Sequence, residues 1–170
     1  MDIKKTANLL LNFAINRLAE IFGFIISSAG ALIFIALLSY SPEDPNFIFP
    51  DNTEIKNILG FRGSFISDLF LQSFGLMSYL ISFTFIVTGI NIFRTKEFFL
   101  IVENIFFSIG YLIFGTLLLA FFYSNTFALY INGNGGFVGS YLNTTFLKSI
   151  IQINQTVFYY ILIILTILLF

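Results

Sequence analysis

The sequence predicts an all-α integral membrane protein with four transmembrane helices, two longer external loops and a short cytoplasmic turn. Three observations carry that expectation. Of the 170 residues, 58% are hydrophobic and 10% are charged, where a soluble domain carries about 25% charged residues. The mean hydropathy of +0.94 is too high for a chain that must cover a core with water-facing surface. The apolar residues also collect in four segments between polar stretches, and a helix needs about 20 of them to cross the hydrocarbon.

The first segment, about residues 21–38, has no charge and follows Lys4, Lys5 and Arg17. It exceeds the roughly 7–15-residue apolar region of a secretory signal, and Pro42 directly after Ser39-Tyr40-Ser41 makes a poor cleavage site. An uncleaved helix is therefore expected. Within residues 1–20, Leu10, Leu11, Ala14 and Leu18 recur at helical spacing. That cytoplasmic segment reads either as an amphipathic helix on the inner leaflet or as an extension of helix one. The second span is expected at about 69–92 and the third at about 104–122, with Glu103 at its entrance. The fourth, about 151–170, includes Gln152, Asn154 and Gln155 before its uninterrupted apolar part. Residues 21–170 thus form the four-helix domain. Ending inside an apolar run favours a truncated chain, because a last helix is normally followed by a basic residue.

Basic residues set the orientation. Lys4, Lys5, Arg17, Arg94 and Lys96 fall in the short segments, and Lys56, Arg62 and Lys148 in the long loops. Basic flanks stay inside, so both termini are expected in the cytoplasm and the long loops outside.

In the first long loop, Pro42 and Pro45 fix their own φ and push Ser41 and Asp44 away from the helical region. Helix one should stop there, with Tyr40 in the interfacial aromatic belt and a turn at Asp44-Pro45-Asn46. From Asn57, apolar Ile58, Leu59, Phe61, Phe65 and Ile66 alternate with Gly60, Arg62, Gly63 and Ser64. The pattern suits a short amphipathic helix feeding helix two, or a buried partner-binding element. Asp68, Gly75, Ser82 and Gly89 follow at seven-residue intervals, and helix one offers Gly23, Ser27 and Gly30. Small residues let membrane helices approach closely, so helices one and two are expected to pack through Gly23, Ser27, Gly30, Gly75, Ser82 and Gly89. Asp68 and Glu103 read as end-of-helix carboxylates favoured by the helix dipole.

The second long loop contains Asn132-Gly133-Asn134-Gly135-Gly136-Phe137-Val138-Gly139, a turn signal that calls for positive φ. An amphipathic piece is expected at 141–153. No Gly-Lys pair occurs, so a phosphate-cradling loop is excluded. With no His and no Cys, imidazole and thiol chemistry are excluded as well. No catalytic, cofactor-binding or metal-ligating residues are expected. A net charge of −1 argues against nucleic-acid contact, which needs clustered Lys and Arg.

Two stretches of the loop carry a family resemblance. "LLSYSPEDP" includes Tyr40, Ser41, Pro42, Asp44 and Pro45; "NILGFRGSFISDLFLQSFG" includes Asn57, Gly60, Gly63, Asp68, Phe74 and Gly75. With Gly135, Gly136 and Gly139 in the later loop, they resemble the N-terminal four-helix membrane domain of FtsK-type bacterial DNA translocases. The usual tryptophan after the "DP" is Phe47 or missing here. The resemblance implies a multi-pass inner-membrane anchor, enriched at the septum, that couples chromosome segregation to division. It also implies a hexameric RecA-like ATPase further along the protein. Expected partners are the bilayer, further copies of the chain and, by resemblance, division proteins. A small transporter or channel subunit built around Asp68 or Glu103 stays open, as does a division scaffold without a motor.

Overall fold

The computed structural model describes residues 3–45, 54–124, 132–146 and 154–170, with side chains from Ala7 onward. Asn46, Phe47, Asp51, Lys148 and the expected start of the fourth helix at 151–153 lie outside the described residues. Among those described are six α-helices and no strand. They are α1 (Ile3–Leu38), α2 (Gly60–Phe74), α3 (Ser78–Thr95), α4 (Phe99–Phe122), α5 (Gly136–Phe146) and α6 (Gln155–Leu169), with a 3-10 turn at Gly75–Met77 between α2 and α3. Three stretches, Ala7–Leu38, Gly60–Thr95 and Phe99–Phe122, are long and apolar enough to cross a membrane, and α6 is shorter.

Helix α1 is uninterrupted from Ile3, so no break marks the boundary expected at residue 20. No turn-forming residue separates the two parts, and Arg17 and Glu20 pair at 2.5 Å along one face of the helix. The second span differs more. The expected helix at 69–92 is broken at Gly75, which adopts φ +58 and ψ −140. Positive φ with ψ this far from the left-handed helical well is a region that essentially only glycine enters, so glycine is the residue that can turn the chain here. The connection from α3 to α4 is a tight one. Lys96 takes a left-handed cap (φ 64), and its N–H closes on the Ile92 carbonyl at 2.9 Å. Helix α4 then starts at Phe99 rather than at 104, which places Glu103 on its second turn, exposed to the surroundings.

Helices α1 and α3 run antiparallel in direct backbone contact. A Cβ on Gly23 would lie 2.6 Å from the Gly89 carbonyl oxygen, and one on Gly30 would lie 2.9 Å from the Ser82 carbonyl oxygen. A Cβ on Gly89 would meet the Ser27 backbone nitrogen. Ser82 is fully buried and turns its hydroxyl back onto the Tyr79 carbonyl at 2.8 Å. The Phe34 ring meets Tyr79 edge-on at 6.2 Å in the same register. Lipid tails are as apolar as these side chains, so close packing rather than the hydrophobic effect holds such a pair.

Two side-chain hydrogen bonds join α3 to α4. Asn104 Nδ2 donates to Thr88 Oγ1 at 2.8 Å, and Tyr111 Oη lies 2.9 Å from Thr84 Oγ1. Such bonds average about 0.6 kcal/mol within a bilayer. Helix α6 returns along α4, with Leu169 against Gly110 and Thr166 against Gly115. Leu10, Phe24 and Phe106 are 66%, 68% and 73% exposed. In water such a surface would aggregate; in a bilayer it is the lipid contact.

Candidate functional site

The residues singled out in the first loop gather at one end of the bundle, around the last turn of α1. A helix leaves its final carbonyls without intrahelical donors, and here the loop and α3 supply them. Asn57 Nδ2 donates to the Ala36 carbonyl at 2.9 Å and to the Ser39 carbonyl at 3.3 Å. Tyr79 Oη donates to the Leu37 carbonyl at 3.1 Å. Ser39 Oγ donates to the Ile35 carbonyl at 2.8 Å and accepts from the Ile58 N–H at 3.2 Å. Asn57 is itself held, because its Oδ1 accepts the Leu59 N–H at 3.0 Å.

Asp44 completes this knot. Its two carboxylate oxygens accept the backbone N–H groups of Lys56 and Asn57, each at 2.8 Å. Charge-assisted bonds of this kind are roughly twice as strong as neutral ones. The Asp44 N–H closes a turn on the Ser41 carbonyl at 3.2 Å. Ser64 Oγ donates to the Pro45 carbonyl at 2.9 Å, tying α2 to the same loop. Gly63 packs against Asn57 and Leu59, while Gly60 takes φ +65 at the start of α2. On the exposed rim, Glu43 pairs with Lys56. The ammonium holds the Glu43 carboxyl below its ordinary range, and the carboxylate holds Lys56 above its own.

Asp68 is not where a cap would be. Helix α2 begins at Gly60, so Asp68 lies in the middle of it, half-buried, with Tyr40 Oη donating to Oδ1 at 3.2 Å. The seven-residue stripe is likewise divided. Ser82 and Gly89 stand against α1, whereas Gly75 sits on the far side of the bend, against the backbone of Asn134 and Gly136. The Leu76 N–H donates to the Asn134 carbonyl at 2.9 Å. The two parts of the stripe belong to separate helices, and a common helical period does not carry through the break.

The glycine-rich second loop provides the other side of that contact. Gly133 and Gly136 take positive φ (72 and 63). Gly135 and Gly139 pack on the Thr116 carbonyl and Ala120 of α4, so the Gly135-x-x-x-Gly139 spacing is a real α4–α5 contact despite lying outside the expected spans. Asn134 Nδ2 donates to the Tyr123 carbonyl at 2.5 Å, and Asn132 Nδ2 reaches the Gln72 carbonyl at 3.3 Å. Asn132, Asn134, Tyr79 and the Thr88–Asn104 pair were not marked as individual contacts by the sequence. Polar residues inside or beside apolar runs were the available signal. Among the described residues, no group of three His, Cys, Asp or Glu is placed to hold a metal ion.

A set of apolar helices closed at one end by a loop that caps its own first helix defines a polytopic membrane domain. The chain belongs to the family described as the 4TM region of DNA translocase FtsK/SpoIIIE, which matches residues 16–170. It is similar to DNA translocase FtsK of Rhizobium meliloti (strain 1021), 33% identical over 78 residues, which are 46% of this chain and 9% of that protein. The FtsK of Shewanella oneidensis is 30% identical over 132 residues, 74% of this chain and 14% of that protein. The FtsK of Rickettsia bellii is 27% identical over 124 residues, 73% and 16% respectively. The chain thus matches less than a fifth of the length of each of these relatives. No solved structure is significantly similar to it.

Proposed function

We propose that these residues are the membrane anchor and division-site localiser of an FtsK-type DNA translocase, with no catalysis of their own. The observation that carries the reading is the use made of the motif residues. Asp44, Asn57, Ser39 and Tyr40 spend their polar atoms on backbone ends and on one another, so the motif builds a rigid surface rather than a reaction centre. In this reading α1, α3, α4 and α6 cross the inner membrane, both termini are cytoplasmic, and the Tyr40 end faces outward. Division proteins and further copies of the chain meet that end or the lipid-facing sides. The motor that moves DNA belongs to other residues, as the much longer relatives suggest.

Fused to a fluorescent protein in a dividing bacterium, residues 1–170 should enter the inner membrane and concentrate at midcell. Uniform membrane fluorescence would remove the localiser role. Purified, the chain should show neither ATP turnover nor DNA retention at physiological salt. For orientation, single cysteines at Glu54 and Thr95, both exposed, can be labelled with an impermeant reagent in spheroplasts. Labelling at 95 but not at 54 would reverse the topology.

A further inference from the structure

Between α2 and α5 lies a pocket of about 260 Å³, with Phe65, Leu69 and Phe137 as apolar walls and Asp68, Gln72 and Asn132 as polar ones. Tyr40 occupies Asp68 Oδ1, and Oδ2 takes no hydrogen bond from a described residue. The Gln72 side-chain amide makes none as a donor among the described residues. Asn132 Nδ2 makes only long bonds, 3.3 and 3.5 Å, to Gln72. One pocket therefore offers a carboxylate oxygen to a cationic donor and, beside it, two amide N–H groups to an anionic acceptor.

Helix lengths set its depth. The 18 residues of α3 rise about 27 Å at 1.5 Å each, close to the roughly 30 Å of the hydrocarbon. Because the chain bends at Gly75, α2 and its pocket lie at the boundary of the bilayer. The surroundings suit that boundary. Leu69, Phe137 and Tyr141 stand 53%, 60% and 56% exposed, and the last two rings stack at 6.1 Å.

We propose that this pocket binds the head group of a phosphatidylethanolamine lipid. The ammonium donates to Asp68 Oδ2, the adjacent phosphate accepts from the Gln72 and Asn132 amides, and the acyl chains run along Leu69, Phe137 and Tyr141. The chemistry discriminates among lipids. Phosphatidylcholine carries a cation without N–H donors, and phosphatidylglycerol carries no cation. A basic peptide would meet the carboxylate but offer the two amides only neutral carbonyl acceptors, which are weaker than a phosphate. The proposal does not depend on the division-site role.

The test uses the 170-residue chain in detergent, titrated with dihexanoyl phosphatidylethanolamine, phosphatidylcholine or phosphatidylglycerol and followed by native mass spectrometry and thermal unfolding. Phosphatidylethanolamine should bind about fivefold tighter than phosphatidylcholine, the scale of a half-exposed ion pair. Asp68→Asn keeps an acceptor for Tyr40 Oη and should abolish the preference; Gln72→Ala should weaken phosphatidylethanolamine and phosphatidylcholine alike. Equal binding of the two lipids overturns the proposal, as does a preference that survives Asp68→Asn. Displacement of phosphatidylethanolamine by a lower concentration of a short Arg-containing peptide would also overturn it, in favour of a protein ligand. Should Asp68→Asn not fold, the comparison of lipids on the unaltered chain decides alone.

Discussion

The α1–α3 contact and the knot at the end of α1 hold the same helix by opposite means. Along Gly23, Ser27 and Gly30 the backbones of α1 and α3 touch and close packing makes the contact, with the Glu20–Lys96 ion pair at 2.9 Å just beyond it. Over its last turn, at Ile35, Ala36 and Leu37, the same helix runs short of intrahelical donors, and Ser39, Asn57 and Tyr79 supply them. The difference follows from the medium. Lipid gives no hydrophobic force between helices, so proximity is what stabilises the pair. At the boundary, an unmet carbonyl is costly, so polar side chains are placed to meet it.

The largest loss is expected of Gly89→Leu. The new side chain has backbone on the opposite side, at Ser27 and Gly23, and backbone cannot swing away. A loss of about 3 kcal/mol is expected, measured by unfolding in detergent and by the loss of crosslinking between α1 and α3. Next comes Asn57→Leu, which strips the 2.9 Å donor from the Ala36 carbonyl and leaves it only the long 3.5 Å contact of Ser39 Oγ. About 2 kcal/mol should be lost, with α2 loosening first in hydrogen exchange while α1–α3 stays closed. Loosening of both together would show that the two regions are one cooperative unit.

Tyr79→Phe is a finer probe because Tyr79 serves both regions, with its ring on Phe34 and its hydroxyl on the Leu37 carbonyl. Removing the hydroxyl alone should cost about 1 kcal/mol and should leave the α1–α3 crosslink intact. The smallest effect belongs to Glu43→Gln at the exposed rim, which should leave the unfolding midpoint unchanged at neutral pH within error. Its pH signature has a definite sign. Lys56 lowers the folded-state pKa of Glu43 from 4.5, so the contribution is present above that value and fades as pH falls below it. Because the same pair holds Lys56 above its ordinary value, the two chains should converge in acid, where Glu43 is protonated, and again in strong alkali, where Lys56 is neutral. A difference that persists in acid would contradict the assignment.

Much of the span pattern was legible because it depends on local composition. Uncharged runs such as those within 21–38 and 104–122 mark buried-in-lipid helices wherever their partners stand. The motif loop was legible as a pattern but not as a mechanism. Pro42 and Pro45 announce the end of α1, yet nothing near Asn57 in sequence says that its amide will reach Ala36, 21 residues earlier. Asp68 shows the opposite failure. Its place at the edge of an uncharged run suggested a cap, but α2 starts eight residues before it, and its partner Tyr40 is 28 residues away.

Residence in a bilayer, the end of helix one beside Tyr40, and small residues that allow the helices to meet were all readable in the amino-acid sequence. Those properties follow from hydropathy, proline geometry and side-chain size, each readable one segment at a time. That Gly75 bends the chain rather than packing on α1 came from long-range packing. So did the closing of the glycines at 135, 136 and 139 on α4 and on that bend, and the opening of Asp68 on a pocket between α2 and α5. These are choices among partners distant in sequence, and they are settled by which backbone groups still need a hydrogen bond once the helices have packed.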